Sequence, residues 1–237
     1  MESESIYLCD VQKSNDFMEL KHYKGKFAGI GCFGEYWEAI SFVLNKWSEE
    51  TKCFALCLSE EKDDVAQWER YGEKARGVAI GFSDVALSKL TEELNEGIEV
   101  IPQERFSWKY QRMLFGKMSY REQPDSYEIA EVSRMADIKK YIESSAFVKA
   151  KGFSCEKEHR LAFVRCGVET PLISQRITQE QNKWILHNLR ELITEIYIGP
   201  LCPKENVVKV EELCDKYGIK VLHSKIPLCE KTQTEES

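Results

Sequence analysis

Short apolar runs, separated by amphipathic or polar stretches, set the predicted order of elements. SIYLCDV (5–11) reads as a short β-strand, and SNDFMELKHYKGKFAGIGCFG (14–34) is too rich in glycine and polar residues to keep a regular period. In EYWEAISFVLNKW (35–47), Tyr36, Trp37, Ile40, Val43, Leu44 and Trp47 recur at helical spacing, which predicts a buried amphipathic helix. CFALCLS (53–59) is continuously apolar and short, as a central strand should be. Asp63 and Asp64 then precede VAQWERYGEK, a short helix with acids at its positive end. GVAIGFS (77–83) predicts a strand, and a helix follows from Asp84 to Asn95.

Two or three β-like pieces fall within 98–121, and Asp125 or Ser126 can cap a long helix reaching Ala150. The loop KGFSCEKE leads into the strand HRLAFVRC (159–166), and the Gln- and Leu-rich stretch 178–192 reads as a helix. The chain closes with a strand at 194–200, a helix at 205–218 and a strand at 219–225, with Gly218 placed as a helix C-cap. Strands interrupted irregularly by helices predict an α+β fold: a single domain with a mixed β-sheet core flanked by helices. It spans 1–229, and 230–237 forms a polar disordered tail. Trp37, Trp47, Phe54, Trp68, Val78, Ile80, Leu161, Phe163, Ile196 and Ile198 are the expected core.

Composition narrows the class. Over 237 residues, 43% are hydrophobic and 31% charged, an ordinary balance for a globular chain. The formal charge of −7 disfavours nucleic acid and anionic membranes as partners. No stretch approaches the roughly 20 apolar residues of a membrane span, and MESESIYLCD lacks the basic residues of a secretory signal. A cytoplasmic location is therefore expected. The nine cysteines are scattered and odd in number, which predicts reduced thiols. Cys53 and Cys57, four apart in a strand, lie about 13 Å from each other and cannot share one ion. No metal site and no prosthetic cofactor is expected.

Three motifs carry candidate chemistry. Gly29-Ile-Gly31-Cys-Phe-Gly34 matches a dinucleotide-binding pattern, but no buried strand precedes it and no acid follows at ribose distance. It reads as a glycine-rich loop entering a helix. In WERYGEKARGVAIGF (68–82), Trp68 and Tyr71 share one helix face. One reading is a helix packed on a strand; the other turns Tyr71, Trp68 and Arg76 towards a ligand, with the Arg76 guanidinium on a phosphate or carboxylate. In FSCEKEHRLAF (153–163), Glu156, Glu158 and Arg160 alternate and so share one face of an extended chain. They form either an internal ion-pair network or an acid/base site. Such a Glu can hold a ribose hydroxyl and stabilise an oxocarbenium ion. Among the histidines, His22 has pocket-like company beside Tyr23, His159 faces away from Glu158, and His187 and His223 stand alone on predicted elements.

The order of motifs adds to their content. NDFMEL (15–20), CFALCLSEEKDDVAQWERYGEKARGVAIGF (53–82), KGFSCEKEHRLAF (151–163) and ITEIYIGP (193–200) resemble, in series, a bacterial family known as domain of unknown function 2971. The resemblance runs over about 15–227. Phe17 stands where the family pattern has proline after Asn15-Asp16, and Ile6-Tyr7-Leu8-Cys9 lacks the basic residue common in the first strand.

By analogy, Glu156-Lys-Glu158 is similar to the E-x-E element of ADP-ribosyltransferases. That similarity implies NAD as a substrate, with Glu158 on its ribose and Glu156 in support. It also implies Tyr71 stacked on nicotinamide, Arg76 or Arg160 on phosphates, and His22 in the early position. The function expected is a nucleotide-directed transferase or glycohydrolase. The alternatives are a non-catalytic sensor of a small anion or nucleotide, and a defence or toxin-type effector.

Overall fold

The computed structural model describes residues 4–13, 49–97, 110–121, 143–167, 176–180 and 183–228. The expected helix at 35–47, the glycine-rich loop, His22, Trp37 and Trp47 lie outside these residues. The chain has an α+β build with mixed sheets. It divides into two compact units, Met1–Ser59 with Ser88–Asn188 and Glu60–Leu87 with Leu189–Ser237.

The first unit is organised by a six-stranded sheet. Its strands are β1 (Ile6–Asp10), β2 (Lys52–Ser59), β4 (Tyr110–Lys117), β7 (Glu158–Cys166), β8 (Ile177–Glu180) and β9 (Lys183–Leu186). They pair antiparallel in the order β4-β7-β2-β1-β9-β8. Strand β7 lies between β4 and β2, and Leu161, Ala162, Phe163 and Val164 are buried on both of its faces. Double burial explains why this stretch is an unbroken apolar run rather than an alternation. Phe54 pairs with Phe163 across β2 and β7, and the Trp184 ring packs against both, 5.9 Å and 4.8 Å between centroids. Two short strands of the same unit, β5 (Ser119–Arg121) and β6 (Val148–Ala150), pair parallel with each other.

Two expectations are corrected here. The helix predicted to reach Ala150 has ended by Ser145, and Val148–Ala150 is strand β6. Its backbone finds partners in β5, and a buried Val148 suits a strand. The helix predicted over 178–192 is instead strands β8 and β9, with a 3-10 turn at Arg190–Leu192. The run Trp184-Ile185-Leu186 is buried on consecutive positions, and pairing with β1 outweighs the moderate helix propensity of this stretch.

The second unit holds β3 (Val78–Phe82), β10 (Ile193–Ile198) and β11 (Lys220–His223), in the order β11-β10-β3. β10 runs parallel to β11 and antiparallel to β3. Helix α1 (Val65–Tyr71) starts where the Asp64 carboxylate accepts the Gln67 N–H at 3.0 Å, as the paired acids predict. Helix α2 (Asp84–Gly97) follows β3, its residues from Ser88 onward belonging to the first unit, and helix α3 (Lys204–Tyr217) joins β10 to β11. Helix α3 closes at Gly218, φ 64°, where the Gly218 and Ile219 N–H groups reach the Asp215 and Cys214 carbonyls. That is the C-cap expected from the glycine.

Val78 and Ile80 depart from the expected core, at 38% and 39% exposed. Their register partners Ile198 and Ile196 are 1% and 2% exposed. The pairs differ because β10 is flanked on both sides, while β3 is the outer strand of its sheet. Of the remaining described core candidates, Phe54, Leu161 and Phe163 are buried in the first unit, and Trp68, Ile196 and Ile198 in the second.

Between α1 and β3 the chain makes an unusual turn. Glu73, Lys74 and Ala75 are consecutive left-handed residues, with φ of 53°, 54° and 68°. Such conformations disfavour L side chains, so the segment is held by outside bonds. Ala75 N–H donates to Trp68 O, Gly199 N–H to Gly77 O, and Leu201 N–H to Ala75 O. Gly199 follows β10 directly, and a Cβ there would lie 2.5 Å from Ala75 O and 2.8 Å from Gly77 O. The glycine of the sequence IGP is thus the seat of this turn.

Candidate functional site

The FSCEKEHR segment folds so as to bring its charges together. Lys151–Glu156 is a 3-10 turn, and Lys157 takes a left-handed conformation with φ 43° before β7 begins at Glu158. Glu156 therefore does not continue the strand. It reaches the same cation as Glu158 from the turn. That cation is Lys149 of β6, whose Nζ donates to Glu156 Oε2 at 2.6 Å and Glu158 Oε2 at 3.0 Å. Arg160 Nε donates to Glu158 Oε1 at 2.5 Å, and Arg160 Nη1 to the Ala146 carbonyl at 3.0 Å. None of the four is more than 5% exposed. Two positive and two negative side chains thus balance inside the first unit.

Electrostatics fix the charge state of Glu158. Burial alone would push its carboxyl up. The Arg160 hydrogen bond and charge, the Cys57 thiol and the Lys149 charge outweigh it, and hold the carboxyl below its ordinary value. Glu158 is an ionised carboxylate at neutral pH. Two flanking groups connect it to more open positions. The Cys57 thiol, on exposed Cys57 of β2, donates to the Glu158 carboxylate. On the other flank, the Glu158 N–H donates to Tyr120 Oη at 2.7 Å. Burial raises the Tyr120 phenol above its usual value, and the nearby Glu158 and Glu156 charges push the same way.

The other sequence candidates belong to the second unit. Trp68 is 3% exposed, and its Nε1–H donates to Asp63 Oδ1 at 2.7 Å, so this indole is part of the packing of α1. Tyr71 is the last residue of α1 and is 61% exposed. Arg76 is an exposed residue at the end of the left-handed turn. Glu156, Glu158 and Arg160 are brought together, Tyr71 and Arg76 lie on the other unit, and His22 is outside the described residues.

Sequence reading missed Lys149, Tyr120 and the role of Cys57. Lys149 sat inside a stretch read as helix, which hid its alternation with Val148 and Ala150. Cys57 reads from the sequence as a small buried hydrophobe and not a metal ligand, whereas the structure leaves it exposed. A strand-paired register of β2 on β7, which places Cys57 opposite Arg160, would have found it.

An α+β chain with a buried, charge-balanced E-x-E cluster is what the geometry defines. Residues 67–161 match the family model described as a protein of unknown function, DUF2971. The matched span takes in both the W-x-x-Y helix and the E-x-E-x-R element, in line with the resemblance carried by those motifs. No curated protein and no solved structure matches the chain. No described helix is long and apolar enough to cross a membrane.

Proposed function

We propose that this chain acts on NAD or a related nucleotide, as a transferase or glycohydrolase of ADP-ribosyltransferase type, with Glu158 as its ribose-facing carboxylate. One observation carries the reading: Glu158 is ionised, is held rigidly by Arg160 and Lys149, and keeps a third partner, the thiol of exposed Cys57. A thiol is the weakest of these donors, and a carboxylate has lone pairs for about four hydrogen bonds. A ribose hydroxyl can therefore take the place of Cys57 without disturbing the two cations. The carboxylate would then stabilise positive charge developing on the ribose as the glycosidic bond breaks. Glu156 supports it by sharing Lys149, and Arg160 is a positioning residue rather than a phosphate ligand.

A second reading is binding without turnover. It is favoured by the engagement of both Glu158 oxygens in ion pairs. Incubation of the purified chain with NAD, following nicotinamide release, separates the two. The transferase or glycohydrolase reading expects release by the wild type and a fall of about 100-fold in Glu158→Gln at unchanged fold. A thermal shift with NAD or ADP-ribose and no release would support the sensor. Neither response would overturn both.

A further inference from the structure

A second cluster lies where β1, β9 and β8 meet, with β9 three strands across the sheet from β7. His187 follows directly after β9, Ser5 lies directly before β1, and Thr178 is in β8. Leu186 of β9 is paired with Ile6 on one side and Ile177 on the other, so the register carries the three polar residues to one place. Ser5 Oγ is 2.9 Å from His187 Nδ1, and Thr178 Oγ1 is 2.7 Å from His187 Nε2. All three are half-buried, neither sealed in the core nor free on the surface. The ring is held further by its own backbone, whose N–H donates to the Arg176 carbonyl at 2.8 Å.

A neutral imidazole has one donor and one acceptor. Between two hydroxyls it therefore accepts from one and donates to the other. We infer that Ser5, His187 and Thr178 form a nucleophile–base–orienter relay for acyl transfer. Ser5 O–H donates to Nδ1, and the Nε2–H donates to Thr178. This is the arrangement by which a weak nucleophile is activated: a base within hydrogen-bonding reach, itself oriented by a third group. Ser5 is the nucleophile because its primary hydroxyl is less hindered than the secondary hydroxyl of Thr178.

The step follows from the geometry. Ser5 Oγ forms a bond to the carbonyl carbon of an ester while its proton moves to His187 Nδ1. The tetrahedral adduct collapses with loss of the aryloxide or thiolate, which takes that proton from His187. Water then attacks the acyl-Ser5 by the same route, releasing the acid and regenerating the hydroxyl. The orienter is a neutral hydroxyl and not a carboxylate, so it stabilises the imidazolium less than an acid would. The substrate class is accordingly an activated ester, aryl or thio, whose leaving group is better than an amine.

A fluorophosphonate probe tests the relay on the whole chain, with intact-mass and peptide mapping. The probe's phosphorus would be captured by Ser5 Oγ with loss of fluoride. The relay expects one adduct, on Ser5, absent in Ser5→Ala and formed about 100-fold more slowly in His187→Gln. Thr178→Val should slow labelling, and Thr178→Ser should restore it. Melting curves accompany each variant. Should His187→Gln not fold, the two Thr178 variants carry the test, since both keep the imidazole. No adduct, an adduct on another residue, or labelling of Ser5 indifferent to both Thr178 variants would overturn the inference.

Discussion

Asn95 of α2 binds both main-chain groups of Met113 with the two ends of its amide. Its Oδ1 accepts the Met113 N–H at 2.9 Å and its Nδ2 donates to the Met113 carbonyl at 2.8 Å. Strand β4 is an edge of the six-stranded sheet, and Met113 is fully buried. A side-chain amide, which mimics a peptide group, thus stands in for a neighbouring strand. Asn95→Ala would leave a buried N–H and C=O unsatisfied and should cost about 1–3 kcal/mol. Asn95→Asp should be no better, because a carboxylate can accept but not donate. Urea unfolding of the two variants checks this.

The buried quartet makes a sharper prediction. Lys149→Met keeps the apolar stem but leaves Glu156 and Glu158 without their shared cation. Removing one member of a buried ion pair costs about 3–5 kcal/mol. Unfolding of Lys149→Met should show a loss of that order, and a neutral result would mean that the cluster is open to water.

The same cluster ties stability to pH. Glu158 binds its proton more weakly folded than unfolded, so its contribution is present above the unfolded carboxyl value, about 4.3. It is lost as pH falls through the lower folded value. Stability measured between pH 7 and pH 3 should decline more steeply for the wild type than for Glu158→Gln.

Asp63 ties the start of α1 to the end of β11. It accepts from Trp68 Nε1, from Ser224 Oγ at 2.7 Å and from the Lys225 N–H at 2.9 Å. Burial acts to raise its carboxyl, but the Ser224, Trp68 and Lys225 hydrogen bonds bring it below the ordinary value. Asp63→Ala orphans a buried indole N–H and should lower stability by about 2 kcal/mol. Near-ultraviolet circular dichroism of the variant would show whether Trp68 keeps its packing.

Gly199→Ala should be more harmful than its size suggests. The two atoms that an added Cβ would meet at 2.5 Å and 2.8 Å are both backbone carbonyl oxygens of the left-handed turn. Neither can swing aside as a side chain would, so the turn or β10 must shift, at a cost of about 1–3 kcal/mol or more. A melting temperature close to wild type would show that the turn is pliable.

Legibility in the sequence followed the strength of local signals. β2, β3, β7, β10 and α3 were readable because a continuous apolar run, or a helix ended by Gly218, admits few alternatives. β6, β8 and β9 were not. Each is short; β6 and β9 are strand because β5 and β1, distant in the chain, offer hydrogen bonds, and β8 is strand by pairing with β9. The site split in the same way. Glu156, Glu158 and Arg160 lie close together in the chain, so their meeting could be anticipated. Lys149 joins them through the pairing of β5 with β6, and Ser5 meets His187 across 182 positions. No spacing rule spans such a distance.

The neutrality of the quartet has a kinetic meaning. Two cations and two carboxylates in mutual contact have no net charge, so their field fades within a few ångströms. The chain's −7 resides elsewhere. On the proposed function, an anionic nucleotide approaching Glu158 would not be drawn in by the cluster and would feel a weakly repulsive surface until it arrives. Raising the ionic strength shields that repulsion. Added salt should hasten capture of such a ligand, the reverse of the behaviour of proteins that gather anions with a basic funnel.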